Sequence, residues 1–146
     1  MNTNTISYMA GFFDGEGYVG ILKRKRKNWN FEYFIQISIG QMDGAVMDWV
    51  VENFGGHLHL VKRDGSYYWI ASNKEAYRIL KLITPFLIYK KLQAELAIKF
   101  YENRDLKRPI PKEELERRET IYTELKRLKH IFTKSIVSSN VRRFND

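Results

Sequence analysis

Asp14 and Glu16 stand one residue apart at the end of a largely apolar run, in the stretch YMAGFFDGEGYVG at residues 8–20. If that run is helical, a step of two residues turns the two side chains about 200° from one another, so they cannot grip one metal ion from the same helix. They must have separate tasks. Carboxylates suit hard divalent cations such as Mg²⁺, and hydrolysing a phosphodiester commonly takes more than one of them around the metals. Ser7, Gly11 and Gly15 recur every four residues in the same run, nearly in line on one side of a helix, with Ala10 beside them. Small residues at that spacing let two helix backbones approach closely, although the familiar energetics come from membranes and the pattern also suits a helix packed on its own sheet. A second copy of the chain laid along the stripe would supply the second acid, at an isologous two-fold centre.

The elements that must position these residues follow from the hydrophobic pattern. Asn4 or Thr5 can cap a first helix of about ten residues, which Gly15 and Gly17 end. A hairpin follows, with a strand from about Tyr18 to Arg26, a turn near Asn28 to Asn30, and a return strand from Phe31 to about Gly40 that puts Phe31, Tyr33, Ile35, Ile37 and Ile39 on one face. Asp43 caps a helix through about Phe54, stopped by Gly55 and Gly56. Asp64-Gly65 marks the turn of a second hairpin, Asn73 caps a short helix that ends at Thr84-Pro85, and longer helices follow from about Tyr89 to Tyr101 and after the RPIP break at 108–111. This order predicts an α+β fold of αββαββα type: a four-stranded antiparallel sheet with helices on one face and the other face bare. The domain is expected to span residues 1–132, with a basic polar tail at 133–146 that includes Lys134, Arg142 and Arg143.

Composition narrows the partner. The 146 residues are 44% hydrophobic and 14% aromatic, enough for one domain with a proper core. The formal net charge of +8 favours a polyanion such as nucleic acid over an acidic small molecule. With no cysteine, disulfides and thiolate zinc sites are excluded, and any metal must be held by oxygen or imidazole. No apolar run approaches the roughly 20 residues of a membrane span, and the N-terminus lacks the basic start of a signal peptide. The expectation is an intracellular protein that does not bind membranes, its compartment left open.

The segment Met9 to Gly17, MAGFFDGEG, resembles the LAGLIDADG motif of homing endonucleases, with Gly15 for the second alanine and Glu16 for the last acid. The single copy, the chain length and the element order resemble the one-motif homodimeric subgroup. The resemblance implies that Glu16 and the carbonyl of Gly15 hold the active-site metal. It also implies that Gln41, in SIGQMDG, positions water, and that Lys90, in PFLIYKKLQAEL, lies near the scissile phosphate. Gln41 also reads as an ordinary strand-end amide, and Lys91 competes with Lys90. Some family members carry a further basic residue after the second strand; Met42 to Met47 has none. Asp14 reads as a structural residue at the dimer seam with Ser7, Ala10 and Gly11, bonding backbone near a helix start. The implied cofactor is Mg²⁺ or Mn²⁺, with Ca²⁺ bound without supporting cleavage. The implied activity is Mg²⁺-dependent, site-specific cleavage of double-stranded DNA by a homodimer on a long pseudo-palindromic target, encoded in a mobile intron. An RNA-binding splicing maturase and a non-catalytic DNA-binding protein of the same fold are the competing readings.

A strand of about eight residues is roughly 26 Å long, comparable to seven or eight base pairs, so a bare sheet face can track a groove. Alternation from Val19 and Ile21 as core leaves Leu22, Arg24 and Arg26 outward, with Glu32, Phe34, Gln36 and Ser38 beside them. Lys23, Lys25, Lys27, Asn28 and Asn30 complete the basic hairpin, where Lys suits phosphates and Arg and Gln suit base edges. From the second hairpin, His57, His59, Arg63, Tyr67 and Trp69 are expected to join that surface. His57 and His59 would point the same way, which also suits a metal, but two ligands without a third favour surface or DNA contacts.

Overall fold

A computed structural model of the chain describes residues 1–27 and 31–131. The chain opens with α1 (Thr3–Glu16), followed by the hairpin β1 (Gly17–Lys25) and β2 (Phe31–Gln41), then α2 (Gly44–Phe54). A second hairpin, β3 (His57–Val61) and β4 (Ser66–Ser72), leads into α3 (Asn73–Ile83), a 3₁₀ turn (Thr84–Phe86), α4 (Lys91–Glu102) and α5 (Lys112–Ile131). The four strands form one antiparallel sheet in the order β1-β2-β4-β3. This is the expected α+β architecture.

The helices gather on one face because the strands alternate. Val19 and Ile21 of β1, Tyr33, Ile35, Ile37 and Ile39 of β2, and Trp69 and Ala71 of β4 are buried there. They meet Met9, Ala10 and Phe13 of α1, Ala76, Ile79, Leu80 and Ile83 of α3, and Ala94, Ala97 and Phe100 of α4. Removing this apolar surface from water is what holds the layers together.

Local chemistry shifts several boundaries. The cap of α1 is Asn2, whose side chain accepts from the backbone N–H of Thr5 at 2.9 Å, so the helix begins earlier than Asn4 or Thr5 would allow and runs 14 residues. Asp43 caps α2 through the N–H of Val46 at 3.0 Å, as expected. Asn73 is the first residue of α3, with φ 49°, and Ser72 holds the cap position without a side-chain bond. Gly56 sits at φ 86°, and a Cβ there would meet Nε1 of Trp69 at 2.3 Å, so this turn admits only glycine. α5 lies along β1: Glu119 accepts from Lys23 at 2.8 Å and from the Tyr33 hydroxyl, and Tyr122 packs edge-on against Tyr33 at 6.0 Å.

Candidate nuclease centre and DNA-reading face

α1 divides into two faces with opposite surroundings. Met9, Ala10 and Phe13 are buried in the core, whereas Ser7, Gly11, Gly15 and Glu16 are exposed. No atom lies within 4 Å of where a Cβ at Gly11 or Gly15 would sit. The stripe of small residues is therefore bare, except that Ala10 belongs to the core: one step off the stripe on a helix turns its methyl group toward the sheet. Gly17, at the C-cap, has the opposite constraint, because a Cβ there would lie 2.4 Å from the Phe13 ring. The absence of a side chain at Gly17 lets the chain pass directly from helix to strand, which fixes where Glu16 ends up.

Asp14 ties the end of α1 to the start of α4. Its carboxylate accepts the backbone N–H groups of Ile88, Tyr89 and Lys90 at 2.7, 3.2 and 2.9 Å. This is backbone bonding near the start of α4, and it occurs within one chain. It also explains why α4 starts at Lys91 and not at Tyr89, since residues 88–90 are committed to the carboxylate. The same grip folds Lys90 back: its ammonium donates to the carbonyl oxygen of Asp14. Burial pushes the Lys90 pKa below its ordinary value, opposed by the nearby carboxylates of Asp14 and Glu16. Lys91 is exposed on α4. Glu16, Asp14 and Lys90 thus form one polar cluster at the foot of α1.

Glu16 is exposed, with the Lys90 ammonium as the positive charge near it. It is the last residue of a helix with no basic residue in its final turn, where a carboxylate opposes the helix dipole. A cation placed there relieves that repulsion. Among the described residues no three His, Cys, Asp or Glu side chains converge into a metal-holding group. One chain offers the Glu16 carboxylate and the Gly15 carbonyl, hard oxygen donors of the kind Mg²⁺ and Ca²⁺ take, but too few for a six-coordinate ion. These residues fit a divalent metal when a second chain or a phosphate completes the set. Gln41 ends β2, and its side-chain oxygen accepts from the backbone N–H of Met42 at 2.8 Å.

The face of the sheet away from the helices is organised in rows by strand register. Arg24 pairs with Glu32 and Leu22 with Phe34. Gly20 pairs with Gln36 and then Ser72, and Tyr18 with Ser38, Ile70 and His57. Gly40, Tyr68 and His59 form the last row. Glu32 accepts from Arg24 at 2.7 Å and from Arg26 at 2.6 and 3.1 Å, and hydrogen bonds from Arg26 and Arg24 lower its carboxyl to about 2. The Arg24 guanidinium lies 5.4 Å from the Phe34 ring centre. This end of the hairpin holds two guanidiniums in fixed positions with donors to spare. Gln36 donates to the Ser72 hydroxyl at 3.3 Å, Arg63 is exposed in the β3–β4 turn, and Lys25 and Lys27 are exposed at the end of β1.

Several expected reading residues lie elsewhere. Trp69 is fully buried on the helix side, pairs with Ile39, and donates from Nε1 to the Gly55 carbonyl at 2.7 Å. Tyr67 has the same parity and packs against the core beside Gly44. β4 enters the sheet with the opposite alternation to the one expected, so Tyr68 and Ile70 face outward in their place. Lys23 turns toward α5, held by Glu119 and lying 4.3 Å above the Phe31 ring. Phe31 is 42% exposed at the sheet's end, too far along the strand for the core to cover. Ser38 is on the open face but covered, at 4% exposure. Asn28 and Asn30, and the tail with Lys134, Arg142 and Arg143, lie outside the described residues. Tyr18, of the same parity as Leu22 and Arg24, also lies on the open face, although it is not among the expected reading residues.

No described helix is long and apolar enough to cross a membrane. Among curated proteins no sequence matches significantly. Among solved structures the chain is similar to the homing endonuclease I-CvuI in complex with DNA, with TM-score 0.77 and 17% identity over 87% of this chain and 85% of that one. It is similar also to the archaeal intron-encoded homing endonuclease I-Vdi141I complexed with DNA, with TM-score 0.73 and 18% identity over 89% and 93% of the two chains. The meganuclease I-SmaMI bound to DNA matches with TM-score 0.71 and 16% identity over 87% of this chain, which spans 46% of that one. At these identities the likeness is one of fold. A family model for LAGLIDADG endonucleases matches residues 9–105, from the first motif residue through α4. With the motif at the foot of α1, the αββαββα order and that match in agreement, the chain belongs to the LAGLIDADG endonuclease family.

Proposed function

We propose that the chain acts as a homodimeric, divalent-metal-dependent homing endonuclease that cuts double-stranded DNA at a long pseudo-palindromic site. The observation that carries this reading is Glu16, exposed at an unfavourable helix end and flanked by a bare glycine stripe. A second copy along that stripe brings two Glu16 carboxylates to one centre, where the described residues of one chain alone offer too few ligands. Ile88 and Leu92, 91% and 54% exposed beside the end of α1, are apolar surface that such a partner would cover. Residues 1–132 then act as one endonuclease domain. The DNA complexes of I-CvuI and I-Vdi141I support DNA as the substrate.

The roles divide by position. Glu16 and the Gly15 carbonyl would hold Mg²⁺ or Mn²⁺, and the bound ion supplies Lewis acidity and an activated water. Lys90, held against the Asp14 carbonyl, presents a positive charge beside Glu16 to oppose the charge that builds on the phosphate. Gln41 orients water once its side chain leaves the Met42 N–H. The rows from Arg24 and Glu32 to Tyr68 and His59 face the groove, with Lys25 and Lys27 on phosphates. The test is incubation of the protein and Mg²⁺ with duplex DNA joining the sequences that flank its gene. Cleavage by the native chain and none by Glu16→Gln supports the assignment. Failure to cut that duplex, with binding retained, points to a non-catalytic DNA-binding protein of the same fold.

A further inference from the structure

α5 lies beyond the segment the family model matches, and its C-terminal half does something its N-terminal half does not. Between Lys112 and Glu119 the helix is laced with ion pairs, and Glu119 neutralises Lys23. Further along, Glu124 pairs with Arg127 at 2.6 Å, and two other cations, Lys126 and Lys129, meet aromatic rings. Lys126 lies 4.3 Å above the Tyr122 ring and Lys129 lies 3.7 Å above the Tyr18 ring. The two lysines are three residues apart, so they share one face of the helix, where like charges repel.

Tyr18 decides which side of the sheet that face serves. It follows Gly17 directly and belongs to the open-face row with Ser38, Ile70 and His57. Its ring lies along the strand over Gly20, where a Cβ would come within 2.7 Å of it. A side chain at position 20 would displace the ring; glycine lets it lie down. Lys129, reaching this ring from the sheet's edge, therefore carries its charge around onto the open face two residues from Glu16.

We propose that Lys126 and Lys129 together form a binding site for a backbone phosphate of duplex DNA, at the sheet edge beside the cleavage centre. The proposal rests on the DNA-binding reading above. A phosphate between the two ammoniums removes their mutual repulsion, and the Tyr18 ring positions one of them without neutralising it. Burial and the neighbouring Lys126 bring the Lys129 pKa down to about 8, with Tyr122 opposing, which is the electrostatic cost a bound anion reverses. α5 thereby serves the DNA as well as the back of the hairpin.

The experiment is fluorescence anisotropy of the full chain with a fluorescein-labelled duplex several helical turns long, in chelator, across a range of KCl concentrations. Lys126→Gln and Lys129→Gln should each weaken binding roughly 3- to 10-fold and lower the slope of log Kd against log salt by about 0.9. Lys129→Arg should retain the native slope. Lys112→Gln, at the far end of α5, should leave affinity and slope unchanged, since Lys112 is remote from Tyr18. Lys126 is exposed, so its variant reads the site even if Lys129→Gln melts early. Native binding with unaltered slopes in both glutamine variants overturns the phosphate site alone. A native chain that binds no duplex overturns the DNA reading and this site with it.

Discussion

Glu16 and Asp14 differ in what satisfies them, and that difference separates their tests. Asp14 accepts three backbone N–H groups, so Asp14→Ala leaves those donors without partners and should cost about 1–3 kcal/mol, read as a lower melting temperature. It should also release Lys90 and slow cleavage. Glu16→Gln removes a charge from an unfavourable helix end, so the melting temperature should hold or rise while cleavage falls by roughly 10³-fold or more. A loss of stability matching that of Asp14→Ala would mean that Glu16 has a structural role. The two-residue spacing turns the acids apart on the helix, and the structure accordingly has Asp14 accepting the backbone before α4 while Glu16 stays exposed. Lys90 was legible only through the family motif, because nothing in YKK says which lysine folds back; the Asp14 grip on residues 88–90 decides it. Trp69 and Tyr67 were misplaced because a two-period pattern fixes which residues share a face but not which face it is. In YYWIAS either set is hydrophobic enough for the core, and the indole hydrogen bond to Gly55 is a long-range contact that sequence does not display.

Elements with strong punctuation were the easiest to read. Asp43, Asp64-Gly65 and the 55–56 glycines marked α2 and the second hairpin to within a residue, since each has a capping or turn role with few alternatives. The start of α4 was not legible, as its boundary depends on a carboxylate 74 residues away. Two predictions belong at this scale. Gly17→Ala places a methyl group against the buried Phe13 ring at 2.4 Å, so it should lower the melting temperature and disturb cleavage together. A variant with unchanged melting would show that the helix–strand junction has slack. The second concerns α5, where burial would raise the Glu114 carboxyl but hydrogen bonds from Arg117 and Arg118 outweigh it and hold it at about 2. A depressed carboxyl contributes stability above its unfolded pKa of about 4.5 and loses it as the pH falls toward 2. Thermal melts of the native chain should therefore decline through that window, and Glu114→Gln should flatten the decline. Equal pH profiles for the two would remove the ion pair as the cause.

At the scale of the whole molecule, the bare stripe makes association testable apart from folding. Among the described residues, no neighbouring element lies within 4 Å of a Cβ at Gly11, so Gly11→Leu should leave the protomer folded by circular dichroism while sedimentation shows dimer converted to monomer. A dimer that persists would place the seam elsewhere. Cleavage should be lost with the dimer, because on the proposed reading the described residues of one chain supply too few metal ligands. The clamp of Asp14 on residues 88–90 has an evolutionary side too. It joins Glu16 and Lys90 into one rigid block at the foot of α1, whereas the guanidiniums of Arg24 and Arg26 sit about 26 Å further along the hairpin. On the proposed function, substitutions at the hairpin's far end can drift without disturbing the block, so a lineage can acquire a new address while its scissors stay the same.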